Sequence, residues 1–171
     1  MNKLGLPVLA AVLLASASTG VIASPEKSRQ EIVAERGPAV MPFDLQATTH
    51  IFTKTTSGGI QQVAAKNSRD EEQIRLIRTH LKEIAAQFSK GDFSGPTHIH
   101  GADMPGLAEL KDAKQSAIKV QYQELKDGAK IVYTTSQPRL VNALHKWFDA
   151  QVSDHGHDAM EGHDHSKMHA R

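Results

Sequence analysis

Apolar and polar residues alternate in two stretches of the chain, and each stretch contains a turn signal. The first extends from residue 43 to residue 65 and includes Ser57-Gly58-Gly59, which is typical of a hairpin turn. The second extends from residue 117 to residue 135 and turns at Lys126-Asp127-Gly128. A period of two places every second side chain on the same face of a strand. The sequence therefore predicts two β-hairpins.

A helical spacing of apolar residues follows each hairpin. Ser68 and Glu71 have the spacing of a capping box, and apolar residues then recur every three or four positions as far as Phe88. Ser136 can cap a second helix that has Pro138 in its first turn, where proline is tolerated. The sequence thus predicts an α+β fold of two hairpin–helix units, ββα-ββα. Its sheet would be antiparallel, with both helices packed on one face.

The two ends of the chain differ in composition from its middle. Lys3 precedes a short apolar run and then small residues, which is the pattern of a secretory signal peptide. Cleavage is expected after Val21-Ile22-Ala23 or, as a second choice, after Ala15-Ser16-Ala17. The predicted divisions are a signal peptide (1–23), a flexible linker (24–41), a single α+β domain (42–153) and a disordered tail rich in His and Asp (154–171).

Composition restricts the possible functions. The chain has 171 residues, ten histidines, no cysteine and a formal net charge of +1. Without cysteine, disulfides, thiolate metal ligands and cysteine nucleophiles are excluded. The small net charge argues against nucleic-acid binding, and so does the absence from the sequence of a basic stripe interleaved with aromatic residues. The signal peptide, followed by no further apolar segment, predicts a periplasmic or secreted protein that leaves the membrane after cleavage.

The segment His98-Ile-His-Gly-Ala-Asp-Met-Pro-Gly106 concentrates potential metal ligands. Glycine and proline before and within it predict a loop rather than a helix or strand. In a loop His98 and His100 can turn toward one ion, whereas on a helix residues two apart point to different sides. With Met104 such a set favours copper, and with Asp103 it favours zinc, nickel or ferrous iron. Alternatively, the two histidines are polar residues that close a surface loop against the sheet.

Histidines elsewhere could complete such a site. His80 and His145 flank the apolar faces of the two predicted helices, and Asp149 lies one turn after His145. Each histidine could instead be half-buried and satisfied locally, and that interpretation is favoured for both of them and for His50 on the first hairpin. The tail adds a tract whose composition is typical of metal binding, with His155, His157, His163, His165 and His169.

Recognised enzyme motifs are missing from the sequence. It contains no Gly-x-Ser-x-Gly elbow, no phosphate-binding glycine-rich loop and no dinucleotide fingerprint. Ser153-Asp154-His155 and Asp103 could be combined into a triad, but the geometry of a triad is set by the fold rather than by closeness in sequence. An enzyme is therefore the less favoured class.

Five segments within residues 41 to 160 have distinctive sequences: Met41-Pro-Phe-Asp-Leu45, Thr49-His-Ile-Phe-Thr-Lys54, Gly91-Asp-Phe93, His98–Gly106 and Leu144-His-Lys-Trp-Phe-Asp-Ala-Gln-Val-Ser-Asp-His-Gly156. Together they resemble a family of small exported bacterial proteins, whose members are often named aspartate carbamoyltransferase. The Ser-Thr-Arg-Thr-Arg phosphate loop of the long, cytoplasmic carbamoyltransferases is absent from this chain. The resemblance implies that five residues lie in family motifs, namely His98, His100, Asp103, His145 and His155.

Together these patterns favour a periplasmic protein that binds a transition metal, copper ahead of zinc or nickel. The tail would gather or hand over ions, and the folded site would use His98 and His100, completed by His145, His80 or Met104. A second hypothesis is an enzyme, either a metal-assisted hydrolase with Asp103 or Asp149 as base or the carbamoyltransferase of the family name. A third is a structural or partner-binding module, with an unidentified protein partner or a homodimer.

Overall fold

The computed structural model describes residues 27–163. The predicted signal peptide and the tail residues His165 and His169 lie outside this range. The helices are α1 (Arg29–Arg36), α2 (Glu71–Phe88), α3 (Ser94–His100), α4 (Leu107–Lys111) and α5 (Pro138–His155). The strands are β1 (Thr48–Thr55), β2 (Gly58–Ala65), β3 (Lys119–Leu125), β4 (Gly128–Thr134) and β5 (Ala159–Glu161). Short 3₁₀ turns occupy Gly37–Ala39 and Gly156–Asp158.

The described strands form one five-stranded sheet in the order β3-β4-β2-β1-β5. Both predicted hairpins are present, and β2 pairs antiparallel with β4, so the hairpins join edge to edge. The mixed α/β fold predicted from the sequence is therefore confirmed. The fifth strand was not predicted, because three residues are too few to show a period of two. The prediction of an antiparallel sheet is wrong at this edge, because β5 pairs parallel with β1.

Both long helices pack on the same face of the sheet. Tyr133 on β4 contacts Phe88 of α2 and Trp147 of α5, with ring centroids 6.3 and 5.9 Å apart. On the same face, Phe52 of β1 lies 5.2 Å from the ring of Phe148 on α5. Large aromatic rings bury more apolar surface than other side chains, so this cluster dominates the core between sheet and helices.

The segment predicted as a flexible linker contains helix α1. Ser28 and Glu31 form a complete capping box, in which each side chain accepts a hydrogen bond from the other residue's backbone N–H. Val33 is buried and joins the core, and α1 packs against α3 and α5. The Ser28-x-x-Glu31 spacing is visible in the sequence, but a helix that buries a single residue gives little apolar periodicity.

The prediction of a loop from His98 to Gly106 is wrong for its first three residues, which complete α3. Pro96 occupies the third position of that helix, where the backbone N–H has no partner within the helix in any case. The proline therefore does not break the helix. Gly101, at φ 89°, ends α3, and the loop begins there.

The boundary predicted between domain and tail at residue 153 lies too early. Helix α5 continues to His155, and Asp154 and His155 are both buried. Strand β5 follows, and the backbone N–H of Gly162 donates to the carbonyl oxygen of Phe52 at 2.9 Å. Residues 154–161, predicted to be disordered, are therefore part of the fold.

Two glycines with almost the same φ angle provide a matched test of the packing of α4 on α5. A Cβ at Gly106 (φ +78°) would lie 2.1 Å from the carbonyl oxygen of Ala143, whereas a Cβ at Gly91 (φ +79°) meets nothing within 4 Å. We expect Gly91→Ala to lower the free energy of unfolding by about 1–2 kcal/mol, the cost of a left-handed alanine. Gly106→Ala must also push two backbone segments apart, so it should lower the free energy of unfolding by about 4 kcal/mol or more. Equal losses in urea unfolding would contradict this close approach.

Candidate functional site

A cavity of about 190 Å³ lies between α2, α3, α5 and the sheet. Four of the eight histidines within residues 27–163 line it, and each is buried: His50, His80, His100 and His155. Each histidine comes from a different element. Buried polar side chains normally have hydrogen-bond partners, so four imidazoles around one cavity require an explanation.

Local structure explains why these rings face inward. His50 and Phe52 are two apart on β1, and a period of two places both on the face covered by the helices. His80 lies on the buried side of α2 next to Leu81. His100 and His155 are the last residues of α3 and α5. The cavity is therefore formed where two helices end above the sheet.

Three of the four rings form a row. The ring centroid of His155 is 4.9 Å from that of His50 and 5.1 Å from that of His100. His80 lies beside this row. The ring centroid of Phe43 is 5.5 Å from that of His80 and 5.7 Å from that of His50. With the side chains as they stand, no group of three or more His, Asp or Glu residues within 27–163 is arranged to hold a metal ion.

A buried carboxylate orients His100. Asp154 Oδ2 is 2.8 Å from Nδ1 of His100, and the guanidinium of Arg29 donates from Nε to both oxygens of Asp154 at 2.8 and 2.9 Å. Arg29 also donates from Nη2 to the carbonyl oxygen of His100 at 2.7 Å. Because a carboxylate only accepts, Nδ1 of His100 donates, and Nε2 is left as an acceptor.

Burial keeps the cavity histidines neutral. Desolvation lowers the pKa of His80 and of His155 to about 4, and it lowers the pKa of His50 well below its usual value. Desolvation also lowers the pKa of His100, although the adjacent Asp154 carboxylate opposes the effect. A neutral imidazole has one nitrogen with a free lone pair. The cavity wall therefore presents nitrogen acceptors at neutral pH.

Some hydrogen-bonding groups of the wall residues are unused. Nε2 of His50 and Nε1 of Trp147 are buried and have no hydrogen-bond partner within the described part of the chain. An unpaired buried polar atom costs about 1–3 kcal/mol. Gln61 is held by the hydroxyl of Tyr133, which donates to its Oε1 at 2.8 Å and leaves the amide N–H groups as donors. Both unpaired nitrogens belong to residues that line the cavity.

Of the residues predicted from the sequence, the structure brings together His80, His100 and His155. His98 is two positions before His100 on α3 and is exposed, as the helical geometry requires. Asp103 is also exposed, 4.0 Å from the guanidinium of Arg29. Met104 is buried in the hydrophobic core and is not among the residues that line the cavity.

The remaining predicted residues lie elsewhere. Nε2 of His145 is 3.0 Å from the carbonyl oxygens of both Thr55 and Gly58, so this ring ties α5 to the first hairpin turn. Asp149 forms an ion pair with Lys54, outside the cavity. His157 and His163 are exposed.

Sequence reasoning missed several groups that shape the cavity, and two signals could have found them. The alternation of β1 places His50 in phase with Phe52, on the buried face. The helical spacing of α5 also continues one turn further than predicted, through Gln151 to Asp154 and His155. Gln61 gave no such signal, because its burial depends on the pairing of β2 with its neighbours.

Comparisons of the chain with protein-family models, with curated proteins and with solved structures found no match. No helix in the described range is both long enough and apolar enough to cross a membrane. The chemistry of the cavity is therefore the basis for inferring a function.

The lowered pKa values predict how stability depends on pH in the metal-free protein. An unfolded histidine has a pKa near 6.5, so between pH 6.5 and 4 the unfolded chain binds protons that His80 and His155 exclude in the folded state. Stability should therefore fall as the pH falls through this window, by on the order of 3 kcal/mol for each residue. Urea unfolding at several pH values in the presence of a chelator measures this. His80→Leu should flatten the dependence, and an unchanged slope would contradict the assignment.

Proposed function

We propose that this protein is an exported transition-metal-binding protein whose metal site is the histidine-lined cavity, with His50, His100 and His155 as ligands. The observation that carries the proposal is the row of three imidazoles, with ring centroids 4.9 and 5.1 Å apart. Two imidazoles on one tetrahedral ion, with metal–nitrogen distances of about 2.0–2.1 Å, have ring centroids about 5 Å apart. The predicted signal peptide supports a periplasmic or secreted location.

The free nitrogen of His50 favours a ligand role over a purely structural one. A structural histidine in a core is normally held by hydrogen bonds, but Nε2 of His50 has none among residues 27–163. A metal ion would give this nitrogen a partner. Rotation about the Cβ–Cγ bond of histidine is soft, so adjacent rings of the row can turn their nitrogens toward one ion.

The contact between His100 and Asp154 is the kind of support that metal-binding histidines have. A ligating imidazole usually donates its other ring N–H to a carboxylate, which fixes the tautomer and the ring orientation. Here Asp154 accepts from Nδ1 of His100, and Arg29 holds both oxygens of Asp154. Nε2 of His100 is the nitrogen that this arrangement leaves for a metal.

The donor set favours borderline metals. Three imidazole nitrogens without thiolate suit Cu²⁺, Zn²⁺ and Ni²⁺, and the Irving–Williams order places copper first in affinity. The sulfur of Met104 lies in the core and does not contribute to this preference. The exposed His157 and His163, and the tail histidines beyond the described range, would supply a weaker and less selective second set of ligands.

A metal-assisted hydrolase is the second candidate, because the cavity leaves room beside an ion for water and a small substrate. The bases predicted from the sequence, Asp103 and Asp149, do not line the cavity, whereas His80 and Glu83 do. Carbamoyl transfer would require cationic groups for a phosphate. The described residues that line the cavity include no lysine or arginine.

Helix α3 offers a matched pair of variants for testing the metal site. In a full-length mature chain with His157, His163, His165 and His169 changed to Asn, we expect one equivalent of Cu²⁺ or Zn²⁺ to bind. His100→Asn should weaken that binding at least about 100-fold, because it removes a buried ligand, whereas His98→Asn should leave it unchanged. Titration calorimetry with a competing chelator measures both affinities. Loss of binding in the His98 variant, or retention in the His100 variant, would contradict the assignment.

Because a nitrogen of His50 is unpaired, replacing this residue should have different effects on protein stability and on metal binding. We expect His50→Leu to abolish metal binding, yet to leave the metal-free protein as stable or about 1 kcal/mol more stable, because a buried unpaired polar atom is removed. Urea unfolding of the metal-free variant, beside a metal titration, tests both effects. A large loss of stability would show that His50 serves the fold rather than a ligand.

A further inference from the structure

The cavity opens to solvent between α2 and α3. Most of the residues that line it are buried, but six are exposed or half-buried and therefore lie where the cavity meets solvent: Val40, Glu83, Ile84, Gln87, Ser94 and Gly95. Three of them belong to α2, and two are the first residues of α3. We call this opening the mouth of the cavity. An ion that enters by this route passes between the two helices.

Helix α2 leads from the mouth to the interior. His80, Glu83, Ile84 and Gln87 have the spacing i, i+3, i+4 and i+7, so they share one face of the helix, and all four line the cavity. Along this face the side chains change from exposed, at Gln87 and Glu83, to buried, at His80. An ion moving inward along α2 therefore meets Glu83 before His80.

Glu83 gives the mouth a negative charge. It is the one carboxylate among the described residues that line the cavity, and those residues include no lysine or arginine. Its side chain forms no ion pair within residues 27–163, unlike Glu72 on the same helix, which pairs with Arg75. A carboxylate without a countercharge at the entrance of a cavity attracts cations and repels anions. The mouth therefore favours a metal ion that arrives as a free cation over one held in an anionic complex.

His80 offers a second ligand one helical turn further in. Residues three apart on a helix have Cβ atoms about 5–6 Å apart, so this imidazole and the carboxylate of Glu83 can reach one ion. The ring nitrogens of His80 form no hydrogen bond with residues 27–163 and are not enclosed by neighbouring atoms, so the neutral ring presents a free lone pair to the cavity. A carboxylate and an imidazole at this spacing act together as metal ligands in helical bundles. The ring of Phe43 lies edge-on to both His80 and His50, so His80 is next to the row of three histidines.

We propose that the metal ion enters this cavity as a free cation through the mouth, and that Glu83 and His80 bind it there before it reaches the row of three histidines. Two protein ligands hold an ion more weakly than three, so the ion moves on to the row. This inference rests on the proposed metal site and assigns its entry route. Glu83 and His80 set how fast the ion is bound, and the row sets how tightly.

Stopped-flow fluorescence with Cu²⁺ tests this route in the full-length mature chain with the four tail histidines changed to Asn. Trp147 is the single tryptophan of the chain and lines the cavity, so quenching of its fluorescence follows the arrival of the ion. We expect Glu83→Gln to lower the association rate constant about tenfold, because the attracting charge and one entry ligand are lost. The equilibrium affinity should fall about threefold at most, as for the loss of an exposed charge. Glu83→Asp keeps the carboxylate and should retain most of the rate.

Glu71 on the same helix provides the matched control. It is exposed, begins α2 and lies twelve positions before Glu83, about 18 Å along the helix axis at 1.5 Å per residue. This distance exceeds the length of about 8 Å over which physiological salt screens charges. Glu71→Gln removes the same charge and should leave the association rate unchanged. His80→Asn removes the second entry ligand and should slow association to a similar extent as Glu83→Gln.

The form in which the ion enters has its own test. Cu²⁺ supplied as its anionic nitrilotriacetate complex should load the protein only after the complex releases the ion. The rate of loading should therefore not depend on the concentration of the protein. A rate that rises in proportion to protein concentration would show direct entry of the complex and would overturn the inference.

The remaining results each decide one point. An association rate that Glu83→Gln leaves unchanged, or that Glu71→Gln lowers equally, overturns the inference and leaves the proposed metal site standing. A loss of affinity of about 100-fold or more in the His80 variant overturns the entry role of His80, because it would make this residue a ligand of the final site. The absence of Cu²⁺ binding at the cavity overturns both proposals.

Discussion

The buried carboxylate of Asp154 is the interaction on which the rest of the site depends. It lies on α5, accepts from a histidine of α3 and is held on both oxygens by Arg29 of α1. A buried charge is tolerated only when it is paired and hydrogen-bonded, so these three helices must meet in one arrangement for the carboxylate to be satisfied. Because α3 ends at His100, fixing this contact also fixes one wall of the cavity.

The larger elements of the fold could be predicted from the sequence because their periods are long enough to detect. Two hairpins and two long helices repeat apolar residues many times, whereas α1 buries one residue and β5 has three. The cavity could be predicted only in part. His50, His80, His100 and His155 come from four elements, and their closeness depends on strand register and helix docking rather than on spacing along the chain. The prominent pair His98 and His100 was misleading, since a proline tolerated in a first turn allowed a helix that separates the two rings.

Under the proposed function, the cavity shows how a small core can reserve groups for a ligand. A core selected for stability alone would place apolar side chains at His50 and His80 and would give the indole N–H of Trp147 a partner. The aromatic cluster around Phe52, Phe88, Tyr133 and Phe148 is rigid and close-packed, so it can hold the wall residues in place although some of their polar atoms remain unpaired. The large core next to the cavity offsets the free energy lost at the site.

The contact between Arg29 and Asp154 also determines when the cavity can form, since it joins residues 125 positions apart in the chain. In the exported chain that we propose, which would cross the membrane N-terminus first, α1 would emerge long before its carboxylate partner. Contacts between distant parts of a chain form late, because a long loop must close before they stabilise anything. The cavity would then be completed only after export is almost finished. Its occupant would be taken from the compartment in which the protein works, not carried there from the cytoplasm.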